Sequence, residues 1–192
     1  MDIRKLFLSF KEEDFLNNKI NLHIHSDYSD GRENFDKLIE QAKEKNIKYI
    51  SITDHNCLEG YRNSKYKNDS ILIKGVEFDC FFRFSLLHIL GYGIDIDNPE
   101  LNKLCGKNKK ECSDDLIRIF KMRHPKNVIN AIHKAGGIAV LAHPCCCNVF
   151  NLSHYVKCLE KLGIDGIKIH MLHVIKDTPL ADYYEKNKFH VL

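Results

Sequence analysis

Between the glycine pair Gly136-Gly137 and the dipeptide His143-Pro144 lies Ile138-Ala139-Val140-Leu141-Ala142, five apolar residues without a polar break. A run this short and this uniform is the pattern of a strand covered on both faces in a parallel sheet. It is far below the roughly 20 apolar residues that span a bilayer, and no other segment reaches that length, so no membrane partner is expected. A helical pattern over 127–134 precedes it and stops at the glycines, the expected C-terminal chemistry of a helix. A second helix over 153–162 follows and stops at Gly163. Strand and helix alternating through short connections define an α/β chain.

The same alternation runs through most of the sequence. Strands are expected at 20–25, 49–53, 71–76 and 84–89, the last broken by Leu90-Gly91-Tyr92-Gly93. A helix over 34–45 carries the stripe Phe35, Leu38, Ile39 and Ala42. Asn98-Pro99-Glu100 starts a short helix, and 114–122 reads as another. Beyond Gly163 the pattern gives a strand over 166–169 ending at His170, a helix over 179–187 and a strand beginning at 189. Residues 1–19 read as a lead-in with a short helix over 11–17. At 192 residues the chain is expected to form one domain with a full core.

Composition narrows the function classes. The net charge of +3 is too small to indicate nucleic acid, and the densest basic cluster, Lys107, Lys109 and Lys110, reads as a solvated loop. The first residues lack the long apolar run and small-residue cleavage site of a signal peptide. Eight cysteines are scattered, three of them consecutive at Cys145-Cys146-Cys147, with no Cys-x-x-Cys pair. Reduced thiols in the cytoplasm are therefore expected rather than a disulfide framework. Nothing in the pattern specifies an oligomeric state.

Chemistry concentrates at the strand ends. His23 and His25 alternate with Leu22 and Ile24, so both imidazoles leave one face of the first strand. Asp30, His55, Glu77, His88 and His143 also fall on or just after the carboxyl ends of expected strands, the rim where active sites of α/β barrels assemble. Imidazole and carboxylate together suit zinc, manganese or iron. His133 lies inside a helix, and His124 and His154 precede helices; these read as surface or capping residues.

These residues stand in the order His23-x-His25-x-x-x-x-Asp30-Gly31, Thr53-Asp54-His55, Gly75-x-Glu77, His88-x-Leu90-Gly91 and Ala142-His143-Pro144. The series resembles the PHP domain (polymerase and histidinol phosphatase) family across residues 21–170, with Asn56 where an aspartate is common. The resemblance implies a distorted seven-stranded β/α barrel and two to three divalent transition metal ions, Mn, Zn or Fe. It places His23, His25 and Glu77 on one ion and Glu77, His88 and His143 on a second. Asp30 and His55 would hold a third, completed by phosphate or another chain. The family's final Asp-x-His does not appear, so the barrel is expected to be incomplete at its C-terminus. The short span between His88 and Ala135 implies a more open pocket.

The implied activity is hydrolysis of a phosphomonoester or phosphodiester by metal-activated water, with a small phosphorylated substrate such as a nucleotide or short RNA. Asp54 is a candidate catalytic residue that positions water, or else a loop-capping aspartate. Arg32, Arg83 and Lys168 are candidate phosphate contacts, or else surface charges. Four alternatives stay open, among them a shortened piece of an active enzyme. A second is a histidinol-phosphatase-like enzyme. A third is an impaired or structural metal-binding domain. The fourth is an amidohydrolase, although no metal-bridging lysine on a strand is evident.

Overall fold

The computed structural model describes residues 2–144 and 147–168. The helix and strand expected beyond residue 168, together with Cys145, Cys146, His170, His173 and His190, lie outside the described residues. Two helices open the chain, α1 (Ile3–Ser9) and α2 (Glu12–Leu16), where a single short helix was expected. Asp2 caps α1 by accepting from the backbone N–H groups of Arg4 and Lys5. Ile3 and Phe7 are buried, and Phe7 packs on Tyr92 with ring centroids 5.1 Å apart. The lead-in is thus part of the core.

Six strands form two sheets among the described residues. The first pairs β1 (Ile20–Ile24) with β2 (Tyr49–Ile52) in parallel, joined by α3 (Phe35–Glu44). The second has the order β3 (Gly75–Phe82), β4 (Ser85–Tyr92), β5 (Ile138–Leu141) and β6 (Gly166–Ile167). Only β5 and β6 are parallel there; β3–β4 and β4–β5 are antiparallel. The architecture is α/β with a mixed second sheet, and the described residues do not complete seven strands. The expected all-parallel setting of β5 holds on one side only, although all four of its residues are buried.

The two sheets meet where α4 (Glu59–Asn63) inserts Tyr61. Its buried hydroxyl accepts from Gly75 N at 2.9 Å and lies 2.7 Å and 3.1 Å from the carbonyl oxygens of Ile52 and Ile73. One side chain thus satisfies backbone groups that a continuous ladder would pair. Isolated bridges, Ile50 to Leu72 and His55 to Glu77, carry the parallel relation across this gap.

Two segments depart from expectation. Residues 71–72 contribute only a bridge, and the strand begins at Gly75, so Glu77 lies inside β3 rather than beyond a strand end. Likewise β4 runs through Gly91 to Tyr92, so His88 sits in mid-strand. The cause is the β3–β4 hairpin, whose turn places Arg83 and Phe84 at positive φ and sends β4 back antiparallel. Gly91 does not break the strand; a β-carbon there would crowd Ile132, so the glycine lets a helix pack closely.

That helix is α8 (Pro125–Lys134), which with α3 and α9 (Leu152–Lys161) covers one face of the sheets. Val76, Phe78, Ile89 and Leu141 pack there with Ile129, Ile132 and Leu159. The opposite face buries Leu90, Tyr92 and Val140 under α1. The middle of the chain is helical in short pieces: α5 (Pro99–Asn102), α6 (Lys109–Ser113) and α7 (Asp115–Phe120). Lys109 and Lys110 therefore belong to a helix rather than a loop. Among the described residues no helix is long and apolar enough to cross a membrane.

Candidate metal centre

Strand alternation builds the centre. Val76, Phe78 and Cys80 of β3 join the helix-covered core, so Glu77 and Asp79 must project from the other face. His88 is the cross-strand partner of Asp79, and Leu90 that of Glu77, which places His88 on the same face. The apolar residues Leu90, Tyr92 and Val140 fill the lower part of that face, and the polar groups gather above them.

Glu77 is the hub. Its Oε2 lies 2.9 Å from His23 Nε2, 2.9 Å from His25 Nε2 and 3.5 Å from His55 Nε2. Its Oε1 lies 3.3 Å from His143 Nε2 and 3.4 Å from His88 Nδ1. Oε1 is buried and faces these two imidazoles with no closer polar partner. Asp30, on the loop after β1, reaches His25 Nδ1 at 2.6 Å and His55 Nε2 at 3.6 Å. All seven residues singled out in the sequence as metal ligands therefore converge.

The local backbone explains the aim of each side chain. Asn56 N donates to Glu77 O at 2.7 Å and Glu77 N to Asp54 O at 3.3 Å, which ties the His55 loop to β3. Ala142 N donates to His88 O, fixing the chain entering His143. His143 itself has φ +27°, a costly conformation for a residue with a β-carbon and one that concentrates at functional sites. Gly31 has no room for a side chain: a β-carbon would meet His25 O at 2.1 Å. The loop from His25 to Asp30 closes on itself only with glycine there.

The electrostatics are those of a charged cluster out of water. Burial works against the Glu77 carboxylate, but the surrounding imidazoles outweigh it and hold its pKa well below the usual range. Burial pushes His23 down to about 4 despite Glu77. Burial also opposes charge on His25, yet its bonds to Asp30 and Glu77 prevail and raise it to about 9. His23 Nε2 and His25 Nε2 lie 3.1 Å apart, both aimed at one carboxylate oxygen. Two ligands on a tetrahedral ion, each roughly 2.0 Å from it, stand about 3.3 Å apart. The spacing, the ligand types and the orphaned Oε1 all fit divalent metal ions.

Two residues of the centre were not anticipated. Asp79 Oδ1 lies 3.0 Å from His55 Nδ1 and 3.2 Å from His88 Nε2, the ring nitrogens that face away from Glu77. Such a carboxylate orients imidazoles so that their other nitrogens face an ion. Arg118, on α7, in turn holds Asp79 in a two-pronged bond, Nε to Oδ2 at 2.9 Å and Nη2 to Oδ1 at 2.8 Å. The sequence signal for Asp79 was the alternation Val76-Glu77-Phe78-Asp79-Cys80; Arg118 had none.

Asp54, the candidate catalytic residue, is bound into the loop that follows β1. It is buried, and its oxygens accept from Ser26 N at 2.7 Å, Ser26 Oγ at 2.6 Å and Ser29 Oγ at 2.6 Å. These bonds anchor the segment that leads to Asp30. Arg83 contacts His154 Nε2 at 3.1 Å. Lys168 is half-buried, and burial pushes its ammonium down to about 8 against the pull of Glu77. Of the other described histidines, His124 caps α8 and His133 bonds Asp165 at 2.7 Å, while His154, expected before a helix, lies inside α9.

A carboxylate hub ringed by imidazoles on one face of an α/β sheet defines the class: a protein with a site of the metal-binding type. The chain belongs to the PHP domain family, whose model matches residues 21–176. It is similar to the phosphoribosyl 1,2-cyclic phosphate 1,2-diphosphodiesterase of Eggerthella lenta, 31% identical over 90 residues, 44% of this chain and 34% of that protein. It is also similar to a 5'-3' exoribonuclease of Haemophilus influenzae, 23% identical over 148 residues, 76% of this chain and 52% of that protein. The chain thus spans about a third to a half of the length of these relatives. Two solved structures share the fold. One is an amidohydrolase from Chromobacterium violaceum with bound sulfate and no metal: TM-score 0.65, 20% identity, covering 78% of this chain and 76% of that one. The other is described as a metal-dependent phosphoesterase, from Bifidobacterium adolescentis: TM-score 0.64, 18% identity, with the same coverage.

Proposed function

We propose that the chain is a metal-dependent phosphoesterase that hydrolyses a phosphomonoester or phosphodiester, with a nucleotide or short oligonucleotide as substrate. The observation that carries this reading is Glu77, a buried carboxylate with imidazoles on both oxygens and one oxygen without a hydrogen bond. His23, His25 and Glu77 would hold one ion, and Glu77, His88 and His143 another, with Asp30 and His55 beside the first. A shared carboxylate lowers the repulsion between two cations. The bound ions supply the Lewis acidity that makes water nucleophilic near pH 7 and stabilises the leaving oxygen.

The chain's own groups do the rest. Asp79 holds the far nitrogens of His55 and His88, Asp54 fixes the loop bearing Asp30, and Glu77 stays ionised. A cavity of about 360 Å³ is lined by Asp27, Tyr28 and Cys57, from the two loops that carry ligands, and by Lys107, Asn108 and Lys109 at α6. Its lining sets the cations Lys107 and Lys109 and several hydrogen-bonding groups beside the carboxylates of Asp27 and Glu59, polar contacts available to the remainder of a nucleotide. The family membership and the phosphodiesterase and exoribonuclease names of the two relatives support the phosphoester reading.

The test is hydrolysis of p-nitrophenyl phosphate and of nucleotides by the purified chain. Activity should disappear in EDTA and return with Mn. Full activity in EDTA contradicts the reading.

A further inference from the structure

Besides the two sets on Glu77 named above, the same side chains can group as His23, Glu77 and His143, as His25, His55 and Glu77, and as His55, Asp79 and His88. All of these but the last share Glu77. The third has a different character, because Asp79 is already committed. Its Oδ2 accepts from Arg118 Nε and from Asn56 Nδ2, and its Oδ1 from Arg118 Nη2. The histidine nitrogens that face it are those turned away from Glu77.

The remaining guanidinium nitrogen, Arg118 Nη1, lies 3.6 Å from Asp30 Oδ2. That same oxygen lies 3.6 Å from His55 Nε2. Any ion placed between Asp30 and His55 would therefore sit against a cation. Nη1 is held there by Asp115 at 3.1 Å, and the Arg118 side chain is only 8% exposed, so it has little freedom to withdraw. A guanidinium does not give up its proton in proteins, and a dication a few ångströms away meets direct repulsion with little water to screen it.

Resting on the reading of Glu77 as the shared ligand, we propose that Arg118 is a built-in cation that takes the place of a third metal ion and confines the centre to two. Asp79 is then the counter-ion of Arg118 and the brace of His55 and His88, not a metal ligand.

The experiment counts ions. The full chain, stripped with chelator and titrated with Mn in the presence of inorganic phosphate, is examined by native mass spectrometry as wild type, Arg118→Met and Arg118→Lys, with thermal melts to establish folding. Two ions are expected in the wild type and in Arg118→Lys, which keeps the charge, and three in Arg118→Met. Three ions in the wild type or in Arg118→Lys would overturn the inference while leaving the Glu77 centre intact, as would two in a folded Arg118→Met. Fewer than two in the wild type would overturn the Glu77 reading as well. If Arg118→Met does not fold, the counts for the other two proteins still decide.

Discussion

Single residues here do more than donate ligands. Gly31 permits the loop between His25 and Asp30 to close, since a β-carbon would overlap the His25 carbonyl. Gly31→Ala should therefore shift Asp30 away from His25 and His55 and weaken metal binding about tenfold, roughly 1.4 kcal/mol, with the rest of the fold intact. Isothermal titration with Mn checks this; unchanged affinity in a folded variant would deny the loop its positioning role. Asp54 offers a contrast at the same scale. Its three accepted hydrogen bonds predict a stability loss of about 1–3 kcal/mol for Asp54→Ala, read by urea unfolding of the metal-free chain. The seven expected ligands were legible because each carries its chemistry in its identity. Asp79 and Arg118 were not, because a brace is recognised by what it touches, and Arg118 lies 39 residues from Asp79.

At the scale of elements, β1, β2, α3, α8, β5 and α9 follow their sequence patterns closely. In each, the apolar period matches the face that is buried, and caps such as Asn34 and His124 mark the starts. The β3–β4 hairpin was misread for a physical reason. Glu77 and Asp79 point inward on a strand whose other face is apolar, and two buried carboxylates in a row look like the polar end of a strand. The short α6 was hidden by its lysines. Asp165, which precedes β6, gives this scale its pH test. It accepts from Ala139 N at 2.8 Å, from His133 at 2.7 Å and from Arg4, joining α1, α8 and β5. Burial opposes its charge, but those donors prevail and lower its pKa. A carboxylate with a depressed folded-state pKa stabilises the fold above its unfolded value, near 3.8, and that contribution is lost as pH falls through the folded value. Asp165→Ala should cost about 1–3 kcal/mol at pH 7, and the gap from wild type should narrow below about pH 4. A gap independent of pH between 7 and 3 would contradict this.

For the whole molecule, the cost of gathering Glu77, Asp30, Asp79 and five imidazoles in one place is the organising fact. Uncompensated, such a cluster opposes folding, since buried charges are expensive unless paired or metal-bound. Metal should therefore stabilise the fold. At a hundred times Kd one bound ion adds about 2.7 kcal/mol, which for a chain of this size corresponds to roughly 5–10 °C in Tm. Melting with and without EDTA measures it, and equal midpoints would mean that the cluster is satisfied without metal. The six described strands and the α/β layering set the frame for this cluster, while the seven-stranded barrel that the resemblance implied is not completed by the described residues.

The central claim is that Glu77 holds two ions at once. The most direct measurement is the metal content of the purified chain by elemental analysis, wild type beside Glu77→Gln, both prepared without chelator. The amide keeps the shape but removes the shared charge. Two Mn, Fe or Zn ions per wild-type chain and one or none per Glu77→Gln chain are expected. Equal metal content in the two proteins, or a wild type that carries no stoichiometric transition metal, would contradict the claim.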